Sequence, residues 1–420
     1  MLRKFWNKHV SFCLLDCVLR CCFVALSIKI DLYIYLIIIY NLYILHRLKS
    51  IDFIKMSNEI KIFGKLNDYV RDFINNPENN ISKFYFELNH TLVICNNNLY
   101  AWKNWCSDQI SETDSKNELA PTRVKFFDGK IIRKICCGCD HRIVVCDDGV
   151  YTWGYNYDAQ LGTGNFTNAS SPVRIDFFNG KIIRKISCGS FFAIVVCDDG
   201  VYGWGRNLLC ELGNRYSDYV LSPIRLDFLD GKEVLKIVCG SYHTVAVCSD
   251  GVYSWGQNSF GQIGINSRQY SSVKCCRVKF FDDKHIRKIR CGEFHTVALC
   301  DDGLYVWGRN LFCQLGTDDT TNIYSPEKLN FFNDKDILNI FCGKTSTIAI
   351  CNDGVYVWGY NYNGMLGINH SGTIYSPTES HHIDNTNMQI EKIFCGEGVS
   401  FVMEEKLMIK AAIAPMMRSD

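Results

Sequence analysis

Along most of the chain, short apolar runs alternate with polar dipeptides on a regular beat. Val234–Val238, Thr244–Val247 and Val252–Trp255 form one such series, broken by Cys239-Gly240 and by Ser249-Asp250-Gly251. Apolar runs this short, bounded by turn formers, predict strands, and nothing in the unit keeps a helical period over about ten residues. Asp-Gly between apolar runs, recurring at Gly149, Gly200, Gly251, Gly303 and Gly354, predicts tight hairpins with type I′ turns, which need positive φ at both central residues. A second turn signal sits at Asp128-Gly129, Asn179-Gly180 and Asp230-Gly231. The units therefore read as antiparallel β-structure.

The beat is a repeat. Trp-Gly occurs at Trp153, Trp204, Trp255, Trp307 and Trp358, in steps of 51, 51, 52 and 51 residues. Cys-Gly keeps the same spacing at Gly138, Gly189, Gly240, Gly292, Gly343 and Gly396, and so do the prolines at 121, 172, 223, 326 and 377, with Cys275 in the vacant slot. About 50 residues holding roughly four strands describe one blade of a β-propeller. The Trp-Asp type of propeller is excluded because Gly follows each of these tryptophans, and the kelch type because the chain contains no Gly-Gly.

Cys239 to Gly264 and Cys291 to Gly316 carry Cys-Gly-x-x-His-Thr…Asp-Gly-x-Tyr-x-Trp-Gly-x-Asn-x-x-x-Gln-Leu-Gly almost intact, with Ile263 for Leu in the first. This pattern strongly resembles the regulator-of-chromosome-condensation repeat family, and the resemblance covers about residues 57–405. It implies an all-β, seven-bladed β-propeller. Counting the ends supports that number: Trp102, followed by Lys103, marks an eroded unit, and Cys395-Gly396 opens a last one. Its missing half reads as Ile60–Gly64, with Phe63 for Trp, so Ile60–Gly64 and Phe394–Met403 are expected to share one blade that closes the ring. Such closure removes open sheet edges.

Charge and composition narrow the function. The 420 residues carry a net charge of +1 and are 47% apolar, which excludes a histone-like tail, a disordered linker and a polytopic membrane protein. The 23 cysteines include five pairs nine residues apart, from Cys137/Cys146 to Cys342/Cys351, as expected of buried free thiols in a reducing compartment, cytoplasm or nucleus. Cys136 and Cys139 have Cys-x-x-Cys spacing without the second pair or His cluster that completes a zinc site. Gly343-Lys344-Thr345 resembles the end of a phosphate loop, but Leu338 occupies the place of its first glycine, and a strand follows.

His90, His141, His243 and His295 recur after the Cys-Gly positions, with Phe192 and Ser346 as replacements. They are candidate channel contacts, but replacement by Phe favours packing. The tryptophans are expected between blades, and Asn156, Asn207, Asn258, Asn310 and Asn361 are expected to satisfy backbone groups in the turns that follow. Like groups repeated around a ring do not make a catalytic site. No catalytic, cofactor-binding or metal-binding residue is assigned, and no cofactor.

Residues 1–56 break the repeat. Leu32–Leu45 is almost wholly apolar, yet shorter than the roughly 20 residues that span a bilayer, and a helix would put Cys13, Cys17 and Cys21 on one face. Three readings fit: a membrane anchor through residues 32–45, a signal-like segment, or sequence upstream of a start at Met56. The chain then divides into a hydrophobic extension (1–56), a propeller (57–405) and a tail (406–420). Two functions follow. The first is a non-enzymatic protein–protein interaction scaffold whose less regular stretches, Asn214–Leu221, Asn266–Cys276, Asp318–Tyr324 and Asn369–Asn387, meet a protein partner. The second, implied by the resemblance, is guanine-nucleotide exchange on a small Ran-like GTPase, a reading weakened because the even repeat leaves little room for an inserted β-wedge. The ubiquitin-ligase members of the family carry a catalytic domain after the propeller, and the fifteen residues after Glu405 do not provide one. Direct nucleic-acid binding is not expected from the charge balance.

Overall fold

The structure, a computed structural model, describes residues 59–64, 67–86, 90–103, 119–215, 217–267, 272–361, 364–368, 371–380, 389–395 and 399–405. The repeated unit folds into a four-stranded antiparallel sheet whose strands pair in chain order. In the third blade these strands are Ile183–Cys188, Phe192–Cys197, Val201–Arg206 and Tyr219–Arg225. Six such blades are present rather than the seven expected. They are completed by a three-stranded sheet in which Glu59–Gly64 pairs with Val399–Glu405, and the latter with Gln389–Cys395. The inner strands neighbour one another in sequence, and Gln389–Cys395 touches both Ile337–Cys342 of the sixth blade and Ile81–Phe86 of the first. The expected pairing of Ile60 with the C-terminal strand is present, opposite Met403. The compact unit that holds the propeller is Ser57–Lys406. The apolar segment 32–45 lies outside the described residues, and among those described no helix is long and apolar enough to cross a membrane.

In the second to sixth blades the second strand is buried along its whole length, as in His141–Cys146 and His243–Cys248. The tryptophans of the third strands are buried, and Trp204, Trp255, Trp307 and Trp358 reach into the preceding blade. Trp204 Nε1 donates to the Gln160 carbonyl (3.0 Å), Trp255 to Glu211 (2.8 Å), Trp307 to Gln262 (2.9 Å) and Trp358 to Gln314 (2.9 Å). Burying about 200 Å² of indole at about 25 cal/mol/Å² contributes on the order of 5 kcal/mol per blade junction before entropy is counted. A short 3₁₀ segment leads from the outer strand of each of the first five blades to the next blade and seats a ring against its tryptophan, as with Phe127 on Trp153, Phe178 on Trp204, Phe281 on Trp307 and Phe332 on Trp358. The repeated prolines fall on or beside outer strands, where a missing N–H breaks no ladder. Cys275, in the proline slot of the fourth blade, uses its N–H to reach the Gly213 carbonyl of the third (2.8 Å).

Two local expectations are corrected. The Asp-Gly hairpins are not type I′. Cys146 pairs with Gly149 and Cys248 with Gly251, so the central residues are Asp147-Asp148 and Ser249-Asp250, none of which has positive φ. The glycine follows the turn with φ near +150°, for example +155° at Gly149. Both central residues have positive φ only in the first blade, where Asn96 (49°) and Asn97 (62°) replace the usual pair. The sequence pattern also does not predict the helix Asp68–Asn75. It is capped by the Asn67 side chain on the Val70 N–H (2.9 Å) and buries Val70 and Ile74 against the first blade.

Candidate functional site: the loop face

Antiparallel order sends two sets of connections to each end of the propeller. The Cys-Gly turns between first and second strands share one end with the long connections between third and fourth strands, here called the loop face. The two-residue hairpins and the 3₁₀ segments share the other, the hairpin face.

The charges of the hairpin face are largely paired within each blade. Lys130 meets Asp148, Lys181 Asp199, Lys232 Asp250, Lys284 Asp302 and Lys335 Asp353. A tyrosine hydroxyl donates to each of these carboxylates, as Tyr253 does to Asp250 (2.9 Å). The lysine hydrogen bond holds each carboxyl below its usual range, and the carboxylate raises each lysine. Exposed pairs of this kind contribute little stability.

On the loop face the Cys-Gly turns form a hydrogen-bonded arc around the channel. Cys139 N–H donates to the Ser190 carbonyl (3.0 Å), Ser190 to Ser241 (2.9 Å), Ser241 to Glu293 (3.1 Å) and Glu293 to Lys344 (2.9 Å). Lys344 thus belongs to a strand-end turn with Gly343 N–H on the Ser346 carbonyl (2.9 Å), and no phosphate loop exists there. Beyond this arc, half-buried aromatic rings and arginines interleave. The Arg206 guanidinium lies over Phe191 (5.8 Å) and Tyr242 (5.3 Å), and Arg309 lies over Phe260, Phe294 and Phe312 (5.0, 5.4 and 5.4 Å). Tyr242 stacks on Phe294 with ring centres 5.6 Å apart, which joins the two clusters. Arg206 also pairs with Glu211 (3.4 Å), a fully buried residue whose carboxyl is raised by burial. Tyr157 and Leu311 project beside this band, 68% and 54% exposed.

The repeated polar residues take structural positions. His141, His243 and His295 are fully buried, and burial lowers each imidazole to about 3. His243 Nε2 meets the Thr296 hydroxyl of the next blade (2.9 Å), which donates to the Gln262 carbonyl (3.2 Å). His295 repeats this with Thr347 (3.1 Å) and the Gln314 carbonyl (2.8 Å). The side chain of His90 lies outside the described residues. Asn156, Asn207, Asn258, Asn310 and Asn361 each accept the backbone N–H five residues on, at 2.8 to 3.1 Å. Of the paired cysteines, Cys146, Cys188, Cys197, Cys239, Cys248, Cys291 and Cys300 are free thiols. Cys137 lies across from Arg142 and Cys146 across from Ile132, at opposite ends of one hairpin. Among the described residues no three His, Cys, Asp or Glu side chains converge on a metal site.

Of the four irregular stretches, the described parts of Asn214–Leu221, Asn266–Cys276 and Asp318–Tyr324 lie where loop-face connections enter outer strands, with 216 and 268–271 outside the described residues. Asn207 Nδ2 pins the first, donating to the Asn214 and Ser217 carbonyls (2.8 and 2.9 Å). Asn369–Asn387 is corrected in part: Gly372–Glu379 is an outer strand, and 369–370 and 381–387 lie outside the described residues. The arginine–aromatic band is not evident from the sequence pattern, although Trp-Gly-Arg at 204–206 and 307–309 is its visible signal.

A closed ring of antiparallel blades latched by Trp and His, with Cys-Gly turns around one mouth, defines a repeat-propeller protein. The chain belongs to the RCC1-like domain family, whose pattern matches residues 78–402. It is 28% identical over 336 residues to the ultraviolet-B receptor UVR8 of Arabidopsis thaliana, covering 78% of this chain and 76% of the receptor. It is 32% identical over 206 residues to the human E3 ubiquitin-protein ligase HERC2, covering 48% of this chain but only 4% of the ligase. Among solved structures, yeast RCC1 (Prp20) bound to Kap60 superposes with a TM-score of 0.69 at 22% identity, covering 86% and 92% of the two chains. Human WBSCR16 gives 0.68 at 20% identity, covering 84% and 100%. These two structures speak for the fold alone.

Proposed function

We propose that this propeller is a non-enzymatic protein-interaction scaffold that receives its partner on the loop face, and we count the three-stranded closing sheet as its seventh blade. The arginine–aromatic band carries the reading. Arg and aromatic side chains supply most of the energy of protein interfaces, and here the rings hold the guanidiniums in place before any partner arrives. A preformed geometry lowers the entropy cost of binding. The test is affinity capture with Tyr157→Asp/Leu311→Asp, beside an Ile182→Asp control at the hairpin face. The reading expects proteins recovered with wild type and the control to vanish with the loop-face variant at unchanged melting temperature. Equal recovery by all three removes the loop face from the proposal.

The alternative is exchange on a Ran-like GTPase, since Prp20p of Saccharomyces cerevisiae, which shares the fold, has binding properties to Gsp1p and histones. Here every described strand belongs to a blade or to the closing sheet, and the described histidines of the repeated slot are buried. Faster release of labelled GDP from a Ran-type GTPase would replace the scaffold reading with this one.

A further inference from the structure

The inner strand of every sheet carries the same irregularity. Its register slips at the second residue of each blade's strand and at the third in the closing sheet, and the residue that follows is Lys83, Lys134, Lys185, Lys236 and Lys288 in the first five blades, Asn339 in the sixth and Lys392 in the closing sheet. A β-bulge re-aims side chains, and the repetition of bulge and lysine around a ring places the five blade lysines at one level of the channel. The bulge lies near the strand's beginning, so this level is the hairpin-face mouth. A cavity of about 440 Å³ opens there, its cationic lining Lys83, Lys134, Lys185 and Lys236 with Arg133, Arg184 and Arg290. Among the described residues no carboxylate lines it, and of these seven cations Arg133 alone forms an ion pair, with Asp147.

Part of the ring has a structural use. Lys236 Nζ donates to the Ile286 carbonyl (2.8 Å) and Lys288 Nζ to the Leu338 carbonyl (2.8 Å), each reaching into the next blade. Carbonyls leave the net charge in place, and burial with neighbouring cations pulls both ammoniums below their ordinary value. A protein of net charge +1 thus concentrates unpaired positive charge in one concavity. Low-dielectric walls there focus the field, and clefts of about 300–1,000 Å³ suit small ligands rather than polymers.

We propose that the hairpin-face mouth of the channel binds a compact polyanion, a small molecule bearing several phosphate groups. Ammoniums arranged around a ring match phosphates spread around a small ring better than one carboxylate or a linear chain. This site is independent of the loop face and of whatever docks there.

The test is calorimetric titration of the full chain at about 0.15 M salt with inositol hexakisphosphate, then with tripolyphosphate and citrate. One saturable site is expected, strongest for the ring-shaped polyphosphate. Lys134→Met/Lys185→Met removes two cations for which no hydrogen bond is seen and should weaken binding by about tenfold or more. Arg184→Ala, an exposed position, provides a second reading should the double variant melt early. Lys125→Met/Lys279→Met, at exposed sites away from the channel, should bind like wild type. Absence of a saturable site, or equal weakening by the control pair, overturns the proposal. Tighter binding of a hexaglutamate peptide than of any phosphate compound also overturns it.

Discussion

The buried histidines make stability depend on pH in a calculable way. His141, His243 and His295 sit near 3 when folded, against 6.5 when exposed. A depressed histidine is neutral in the folded state, so its contribution is complete above the unfolded value and is lost as pH falls from about 6.5 toward 3. At pH 5 the unfolded chain takes up protons that the folded chain refuses. Linkage gives a loss of about 2 kcal/mol for each histidine, and about 6 kcal/mol for the three. At about 2.1 cal/mol/K per residue over the 350 residues of Ser57–Lys406, this corresponds to a fall in melting temperature of about 8 °C between pH 7.5 and 5. Other groups leave room for the effect. The hairpin-face aspartates are held below their usual range, so they stay charged through this window. Glu211 and Asp158, raised by burial, act with the opposite sign and trim the fall.

The assay is scanning calorimetry of wild type and His243→Phe across this pH range. Phe is the right replacement because Phe192 fills the same slot one blade earlier, fully buried. The Thr296 hydroxyl would still have the Gln262 carbonyl, so no buried donor is orphaned. The variant should lose about a third of the pH dependence, about 2 kcal/mol at pH 5. A melting temperature flat from pH 7.5 to 5, or a variant with the full wild-type slope, would refute the assignment of these rings to the blade junctions.

Two further outcomes follow from the same contacts. Trp255→Phe leaves the Glu211 carbonyl without its indole donor and leaves a void at a blade junction, so urea denaturation should show a loss of about 3 kcal/mol. A chain begun at residue 66 lacks Glu59–Gly64 and uncovers the edge of Val399–Glu405. It should melt earlier than one begun at residue 57 and elute partly as aggregate in size-exclusion chromatography, whereas identical behaviour would show that this pairing does not hold the ring.

What could be read in advance follows from repetition. A slot sampled five times shows its burial through what it tolerates, so the places of Trp204, Trp255, Asn207 and Asn258 are legible in the sequence, and so is the pairing of Ile60 with the C-terminal strand. The failures have physical causes. Asp-Gly suggests a type I′ turn, yet cross-strand pairing of Cys146 with Gly149 moves the turn centre one residue back, onto Asp147-Asp148. Asp68–Asn75 occurs once and spans two turns, too short for periodicity to outweigh its polar residues. The lysines from Lys83 to Lys288 recur as regularly as the tryptophans, but a lysine in a strand reads as solvent-facing. Only the bulge and the curvature of the ring turn those positions into one cavity.

Repetition also separates architecture from recognition. The slots that hardly vary, Trp with its carbonyl and Asn with its turn, are those a ring needs at every junction, and they can tell one partner from another no better than a bolt can. Specificity has to come from positions that share a place in the blade but differ in kind. The residue after Trp-Gly is Tyr155, Arg206, Gln257, Arg309 and Tyr360, and the residue before the histidine slot is Asp140, Phe191, Tyr242, Phe294 and Thr345. These two series meet on the loop face, and where they meet, Arg206 rests on Tyr242 of the next blade and Arg309 on Phe294 of its own. The asymmetry is greatest across the third to fifth blades. On the proposed scaffold reading, a partner that reads one orientation of the ring has its strongest cue there.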